Sequence, residues 1–258
     1  MDRKFERVAI LDERVLSPEA ALWIDRTRKV VLRTGATGFL KGGLLRDYVY
    51  NLYNGTNLTP EDLDIMFLGG VNFVVSELVK EGAIIQSRRN RRKTPVFELG
   101  FPTSLGTIKT DIGIVLGNPS TYERGQKIEN FIEDDAKLSD FTVNSLFLPL
   151  EKTLDISNII DPLCGIKDIL NQQIRMVSPN TFVRNPECML RAVRVAERLS
   201  AIIEPFTFQA IKHYAPLILK APQFVIKQNL EAILTSPNKK HNIEILESLS
   251  LLQYLPTK

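Results

Sequence analysis

Apolar and polar positions alternate with two different periods along this chain, and the change of period divides it. From Thr37 the pattern reads Phe39-Leu40, then Gly42-Gly43, then Leu44-Leu45-Arg46-Asp47-Tyr48-Val49-Tyr50 with helical spacing, which predicts a strand, a glycine turn and a helix. A polar loop, Asn54-Gly55-Thr56-Asn57, precedes a bounded apolar run at 60–68 that reads as a strand and is closed by Gly69-Gly70. Helical spacing returns at 71–81. Strands are then expected at 83–86, 94–99 and 107–116, where Ile108, Thr110, Ile112 and Ile114 alternate with Lys109, Asp111, Gly113 and Val115. Before Thr37 the pattern is weaker, with a short helix over 18–25 and a strand over 29–33. After Pro162 three helices are expected, at 181–199, 207–219 and 224–234. The chain therefore reads as an α/β part, 1–150, followed by an all-helical part, 151–258, with no flexible linker and no internal repeat.

Composition limits what such a chain does. Its 258 residues are 44% hydrophobic and 24% charged, which excludes disorder and low complexity and leaves room for one or two domains with substantial cores. Two cysteines, Cys164 and Cys188, point to a reduced, cytoplasmic setting. The N-terminus is charged from Asp2 with no apolar segment after it, so no secretory signal is expected, and no apolar run approaches the ~20 residues that span a bilayer. The net charge is +3. Residues 1–150 carry 20 charges of each sign and 151–258 carry 13 basic and 10 acidic, so the surplus lies in the helical part.

Asp62 and Asp64 are two apart, and on a strand both carboxylates point to one face. Two such charges about 4 Å apart repel by roughly 4 kcal/mol at an effective dielectric of ~20, and a divalent cation with hard oxygen ligands, such as magnesium, compensates them. Asp-x-Asp alone is common, and on its own Asp62 reads as the end of a loop after Pro60. Gly42-Gly43, about twenty residues upstream at a strand-to-helix turn, changes that reading. Glycine there lets backbone N–H groups approach an anion at a helix N-terminus. A phosphate cradle beside a metal pair is the chemistry of phosphoryl transfer. Asp111 is either a third catalytic carboxylate or the ion-pair partner of Lys109.

At these residues the chain resembles the bacterial tRNA nucleotidyltransferase and poly(A) polymerase family, within the polymerase-β-like nucleotidyltransferases. Five ordered blocks, spanning roughly 38–200, carry the resemblance. Gly42-Gly43-Leu44-Leu45-Arg46-Asp47 is similar to the family's Gly-Gly-x-x-Arg-Asp, and Glu61-Asp62-Leu63-Asp64-Ile65 to its metal-binding Asp-x-Asp. Asp140-Phe141-Thr142-Val143-Asn144-Ser145-Leu146 is similar to its Arg-Arg-Asp-Phe-Thr-Ile-Asn-Ala-Leu. The block from Ile160 to Ile169 resembles Asp-Pro-x-x-Gly-x-x-Asp-Leu at the entry to the neck, and that from Phe182 to Ala196 resembles Phe-x-Glu-Asp-Pro-x-Arg-x-Leu-Arg-Ala-x-Arg-Phe-Ala.

The resemblance implies an α+β head with a small mixed sheet and flanking helices, followed by an all-helical neck and body. It implies a two-metal Mg²⁺ enzyme that adds nucleotides from ATP or CTP to an RNA 3′ end, of tRNA or another RNA. Asp62 and Asp64 would hold the metals, with Asp111 as a third catalytic carboxylate. Gly42, Gly43, Arg46 and Asp47 would serve the triphosphate, Asp140 and Asn144 the sugar and phosphates, and Asn185, Arg191 and Arg194 the incoming nucleotide.

The departures are specific. Arg184-Asn185 stands where the family has Glu-Asp, and Cys188 where it has Arg; a thiol does not replace a guanidinium in reading a base. Leu138-Ser139 replaces the Arg-Arg pair, and Lys41 replaces an apolar residue. Only about 58 residues follow Ser200, where relatives continue into domains that grip tRNA, so the substrate is gripped differently, as through a homodimer, or is not a tRNA. The alternatives to the enzyme are a catalytically inactive member that binds RNA or a protein, and a nucleotidyltransferase with another acceptor.

Two basic clusters remain. Arg191, Arg194 and Arg198 line one helix face with Arg184 seven residues upstream in rough register, and form either a phosphate-binding stripe or a solvated face. Arg88, Arg89, Arg91, Arg92 and Lys93 fall between two expected strands, as a hairpin loop that contacts RNA phosphates or as an ordinary mobile loop. His213 and His241 have no partners at zinc-ligand spacing, and Walker A, Gly-x-Gly-x-x-Gly and Gly-x-Ser-x-Gly motifs are absent.

Overall fold

A computed structural model describes residues 18–60, 63–91, 94–104, 106–114, 128–151 and 156–255. The chain forms two compact units, one of 1–136 with 144–162 and the other of 137–143 with 163–258. The sequence pattern places one boundary near 150; the chain instead changes unit at 136–144 and again after Pro162. The early segment belongs with the second unit because Phe141 bridges to Met176, with Thr142 N–H donating to Arg175 O and Val177 N–H to Asp140 O, each at 3.0 Å.

The first unit holds α1 (Pro18–Thr34), β1 (Gly38–Lys41), α2 (Gly43–Asn54), β2 (Leu63–Phe67), α3 (Val71–Lys80), β3 (Ile84–Arg91), β4 (Thr94–Thr103), β5 (Gly106–Ile114), α4 (Ile128–Ala136) and β6 (Phe147–Pro149). Its sheet has the order β3-β4-β5-β2-β1-β6. Only the β2–β5 pair is parallel. Along its core face Leu148, Leu40, Ile65, Ile112 and Phe97 stand in register and are buried. Trp23 of α1 stacks on Phe101, 4.1 Å between ring centroids, and its indole N–H donates to Pro102 O at 3.2 Å.

The strand expected over 29–33 is the last part of α1. Val30-Val31 read alone looks like strand, but Trp23, Ile24, Thr27, Val30 and Val31 form one buried helical stripe, and packing overrides the β-branched preference. Residues 87–91 are also not part of the expected loop. Ser87 through Arg91 continue β3, and Arg91 pairs directly with Thr94 of β4. After α2, Asn51 organises the polar loop that leads toward β2: its amide accepts from Leu58 N–H at 2.8 Å and Thr56 O–H at 2.7 Å and donates to Leu58 O.

The second unit is helical apart from a parallel pair of two-residue strands, β7 (Gln173–Ile174) and β8 (Ile202–Ile203). Its helices are α5 (Gly165–Leu170), α6 (Asn180–Arg184), α7 (Cys188–Arg198), α8 (Pro205–Tyr214), α9 (Gln223–Thr235) and α10 (Lys239–Ser248). The single helix expected over 181–199 is two, because Pro186 pushes Asn185 out of helical geometry to φ −138° and ψ 80°. Likewise Pro216 ends α8, and 215–220 continue as a 3₁₀ turn. Among the described residues no helix is long and apolar enough to cross a membrane.

Glu204 caps α8: its buried carboxylate accepts from Thr207 N–H and Thr207 O–H, both at 3.0 Å, and pairs with Arg175 at 3.3 Å. Burial pushes its pKa up, but the Thr207 and Phe206 N–H groups and Arg175 outweigh it and hold the carboxyl below its ordinary 4.5. A depressed folded pKa contributes stability above the unfolded value that is lost as pH falls through the folded one. Denaturant titrations across pH 3–7 should therefore show Glu204→Gln losing about 1–2 kcal/mol near neutrality and less at the acid end, since the lost charge matters only where the wild type is ionised.

Candidate active site

β1 ends at Lys41, and the chain turns through Gly42 into α2. Gly42 has φ 78° and ψ −136°, and a Cβ added to it would lie 3.0 Å from Asp64 Oδ2. The turn therefore rests directly against the carboxylate of Asp64 on β2, which would have to give way to a side chain at this position. Gly42 N–H donates to Leu146 O at 3.4 Å, tying the turn to the chain just before β6.

Register builds the rest of this face. Asp64 pairs with Asp111 across the parallel β2–β5 ladder, and Asp111 with Glu98 across β4–β5. Paired residues share a face. Glu98 pairs in turn with Ser87, whose hydroxyl donates to Glu98 Oε2 at 2.9 Å, and on the other side Asp64 pairs with Lys41 and Lys41 with Phe147. One row thus runs Ser87, Glu98, Asp111, Asp64, Lys41, Phe147 across six strands. Three adjacent carboxylates along such a row repel, and the arrangement calls for cationic compensation. Asp64, Asp111 and Glu98 are all half-buried, on the rim between core and solvent.

At the start of α2, Arg46 and Asp47 are buried. Arg46 donates to Asp47 Oδ1 at 2.8 Å and, through Nη1, to Asn144 Oδ1 at 2.9 Å. Its guanidinium also lies beneath Gly43, whose added Cβ would meet Nη2 at 3.4 Å. This joins the first sequence block to the third.

In the second unit the same third block is held at its other end. Asp140 Oδ2 accepts from Arg191 Nη1 at 2.7 Å, and Thr142 O–H donates to Asp168 Oδ2 at 2.7 Å, with Arg175 Nε on the same carboxylate at 3.1 Å. Asp140 raises the pKa of Arg191 against the opposing effect of burial. The 140–144 segment is thereby fixed at alternate residues by the fifth, fourth and first blocks in turn.

The expected site residues fall as follows. Asp64, Asp111, Gly42 and Gly43 share the sheet face and its turn; the buried Arg46 and Asp47 cluster with the half-buried Asn144; Asp140 and Arg191 form an ion pair. Asn185 ends α6 and has left helical geometry. Arg194 donates to the buried Asn229 of α9 at 3.1 Å, and the next turn continues this polar seam, with Glu197 accepting from Asn242 at 2.7 Å. At Arg194 and Glu197 the α7 face is therefore a helix–helix contact rather than a solvated stripe. Arg184 does not share it, since the break at Pro186 separates the helices; its Nε donates to Asn180 O at 3.2 Å. Arg88 lies over Phe97, 5.3 Å from the ring centroid, opposite the carboxylate face; Arg89 and Arg91 sit on β3. Asp62, Arg92 and Lys93 lie outside the described residues.

Sequence reading missed Glu98, Ser87, Lys41 and Asp135 as neighbours of the site. Alternation within 94–99 puts Glu98 on the polar face, but which strand lies beside it is a matter of register. Lys41 Nζ forms an ion pair with Asp135 of α4 and lies 5.0 Å from the Phe147 ring centroid. Among the described residues no three His, Cys, Asp or Glu side chains converge on one metal-holding point.

A mixed sheet thus carries a glycine turn laid against one carboxylate, with a second carboxylate in register beside it. Residues 38–175 match the model of the poly A polymerase head domain, and the chain belongs to that family. A CCA-adding enzyme of Limosilactobacillus reuteri (strain DSM 20016) is 25% identical over 223 residues, 85% of this chain and 49% of that protein. An A-adding tRNA nucleotidyltransferase of Deinococcus radiodurans is 35% identical over 127 residues, 47% of this chain and 28% of that protein. Among solved structures, a CCA-adding enzyme with CTP superposes with a TM-score of 0.73 at 21% identity, covering 96% of this chain and 56% of that one. The Thermotoga maritima CCA-adding enzyme complexed with tRNA gives 0.72 at 20% identity, covering 96% and 55%. The chain spans about half the length of the CCA-adding relatives it matches.

Proposed function

We propose that this chain is a metal-dependent, template-independent nucleotidyltransferase that adds nucleotides from ATP or CTP to the 3′ end of an RNA, with the unit of 1–136 and 144–162 performing the chemistry and the unit of 137–143 and 163–258 selecting the nucleotide. The observation that carries this reading is the packing of the Gly42 turn against Asp64, with Asp111 in register beside it. The hard oxygen donors suit Mg²⁺, and the glycine that a Cβ would displace leaves backbone close to the carboxylate. Asp64, Asp111 and the neighbouring Asp62 of the sequence block would hold the metal. When bound, Mg²⁺ neutralises the triphosphate and favours attack of an RNA 3′-hydroxyl on its α-phosphate.

The chain's own residues do the positioning. The first N–H groups of α2, which follow the Gly42 turn, serve phosphate oxygens. Arg46, fixed by Asp47 and Asn144, holds its charge at that turn in one orientation, which reduces the entropy lost on binding. Asp140, held by Arg191, serves the sugar, and Asn185 at the end of α6 serves the base. Arg88, Arg89, Arg91, Arg92 and Lys93 supply phosphate contacts to the RNA.

The test incubates the full chain with each of the four NTPs and Mg²⁺ or Mn²⁺, offering total RNA, tRNA lacking its 3′ end, or no RNA, and sequences the products. Divalent-dependent extension of an RNA 3′ end is expected. Absence of incorporation in every combination, together with absence of divalent-dependent NTP binding, overturns the reading.

A further inference from the structure

We infer that Arg175 is a positioning residue for nucleotide selection: its main chain and its side chain together set the course of residues 140–142, and with it the placement of Asp140 toward the sugar of the incoming nucleotide. The inference rests on the reading of Asp140 as the residue that serves the sugar. Arg175 itself lies in none of the five sequence blocks.

Residues 140–142 run antiparallel to 175–177. Thr142 N–H donates to Arg175 O and Val177 N–H to Asp140 O, each at 3.0 Å, and the fully buried Phe141 bridges to Met176 between them. The Arg175 guanidinium then reaches the same segment a second time. Its Nε donates to Asp168 Oδ2 at 3.1 Å, and that oxygen accepts the Thr142 hydroxyl at 2.7 Å. Thr142 is therefore held twice by one residue, directly through the main chain and through Asp168. Nη1 pairs with Glu204 at 3.3 Å and Nη2 donates to Gln173 at 3.1 Å, so three acceptors fix the planar fork in one orientation. Glu204 accepts the Thr207 hydroxyl, and Thr207 Oγ1 accepts Met176 N–H at 2.9 Å, which closes the network back onto 175–177. Thr142, Asp168, Glu204 and Thr207 are all buried.

Arg191 has a different part. It donates to Asp140 Oδ2 at 2.7 Å, but a bond between two side chains follows the carboxylate wherever the main chain carries it. The main chain at Asp140 is placed by the pairing with 175–177. A binding group has to be held within about 0.5 Å of its productive position. A site built to hydrogen-bond a hydroxyl rejects the analogue that lacks it, so discrimination between sugars reports this placement.

The test titrates the full chain, in Mg²⁺, with ATP or CTP and with their 2′-deoxy and 3′-deoxy analogues by calorimetry, and records a melting temperature for each variant. Wild type should bind the ribonucleotide more tightly than the analogue lacking the hydroxyl that Asp140 meets, and Asp140→Asn should lose that preference. Arg175→Met should reduce the preference about tenfold, the scale of one hydrogen bond to a charged group. Thr142→Val should match it, while Thr142→Ser, which keeps the hydroxyl, should select as wild type does. The double variant Arg175→Met with Thr142→Val should lose no more than the larger single loss, because both act through one network. Ile233→Ala, at a fully buried position of α9 outside the network, should lower the melting temperature and leave the preference unchanged. An unchanged preference in Arg175→Met or Thr142→Val, or an equal loss in Ile233→Ala, makes the network purely structural and overturns the inference. A wild type without preference, or Asp140→Asn as selective as wild type, overturns instead the reading of Asp140 on which the inference stands.

Discussion

Asp64→Ala should reduce nucleotide incorporation by at least about 10³-fold while the melting temperature stays within a few degrees of wild type. Asp64 stands at the end of the carboxylate row, in register with Lys41 on one side and Asp111 on the other, and against the Gly42 turn. On the proposed assignment its removal takes away a metal ligand where the charge of a triphosphate has to be met, so the loss should appear in the chemical step. The fold should tolerate it, because a half-buried carboxylate among like charges contributes little to stability and its deletion relieves repulsion. The measurement is incorporation of labelled nucleotide at saturating Mg²⁺, with circular dichroism melts as control. Wild-type turnover by Asp64→Ala contradicts the assignment, and so does Asp111→Ala without effect for the register partner.

Gly42→Ala should have the next largest effect, lowering kcat/KM about 100-fold. Two separate costs meet at this position. A φ of 78° with ψ −136° is poorly accessible to a residue with a side chain, at about 1–3 kcal/mol. The new methyl would also lie 3.0 Å from Asp64 Oδ2, closer than the two groups tolerate, so either the turn or the carboxylate shifts. Gly55→Ala separates these costs. Gly55 ends α2 at φ 65° with nothing within 4 Å of an added Cβ, so its substitution should lower stability by about 1 kcal/mol and leave activity unchanged. Equal activity losses in the two variants would show that backbone strain, and not the approach to Asp64, is what matters at Gly42.

The strand, glycine turn and helix at 38–54 were legible because their signals are local: an apolar pair, two glycines, then apolar residues at helical spacing. The family blocks were legible for a similar reason, being contiguous runs of residues. Reading failed where a local signal met a tertiary one. Val30-Val31 reads as strand in isolation, yet these valines continue the stripe begun by Trp23 and Ile24, and burial of that stripe decides the element. The 87–91 run looks like a loop because it is charged, but pairing with β4 makes it strand. Pro186 and Pro216 were present in the sequence as helix breakers, and the apolar spacing on either side of each concealed the break.

The candidate site divides in the same way. Asp64, Gly42, Arg46, Asp140 and Asn144 are named by the sequence through their blocks. Glu98, Ser87 and the Lys41–Asp135 pair are not, since nothing in a chain places residue 98 beside 111, or 41 beside 135. By itself the sequence determined the residue types proposed to bind phosphate and a hard cation, the order of the blocks, and the change from mixed to helical structure, because these depend on neighbours a few positions apart. The tertiary structure alone decided which carboxylates share a row, which lysine stands in register beside them, and that the 140–144 segment is fixed by three distant blocks, because sheet register and helix packing are set by burial summed over the whole fold.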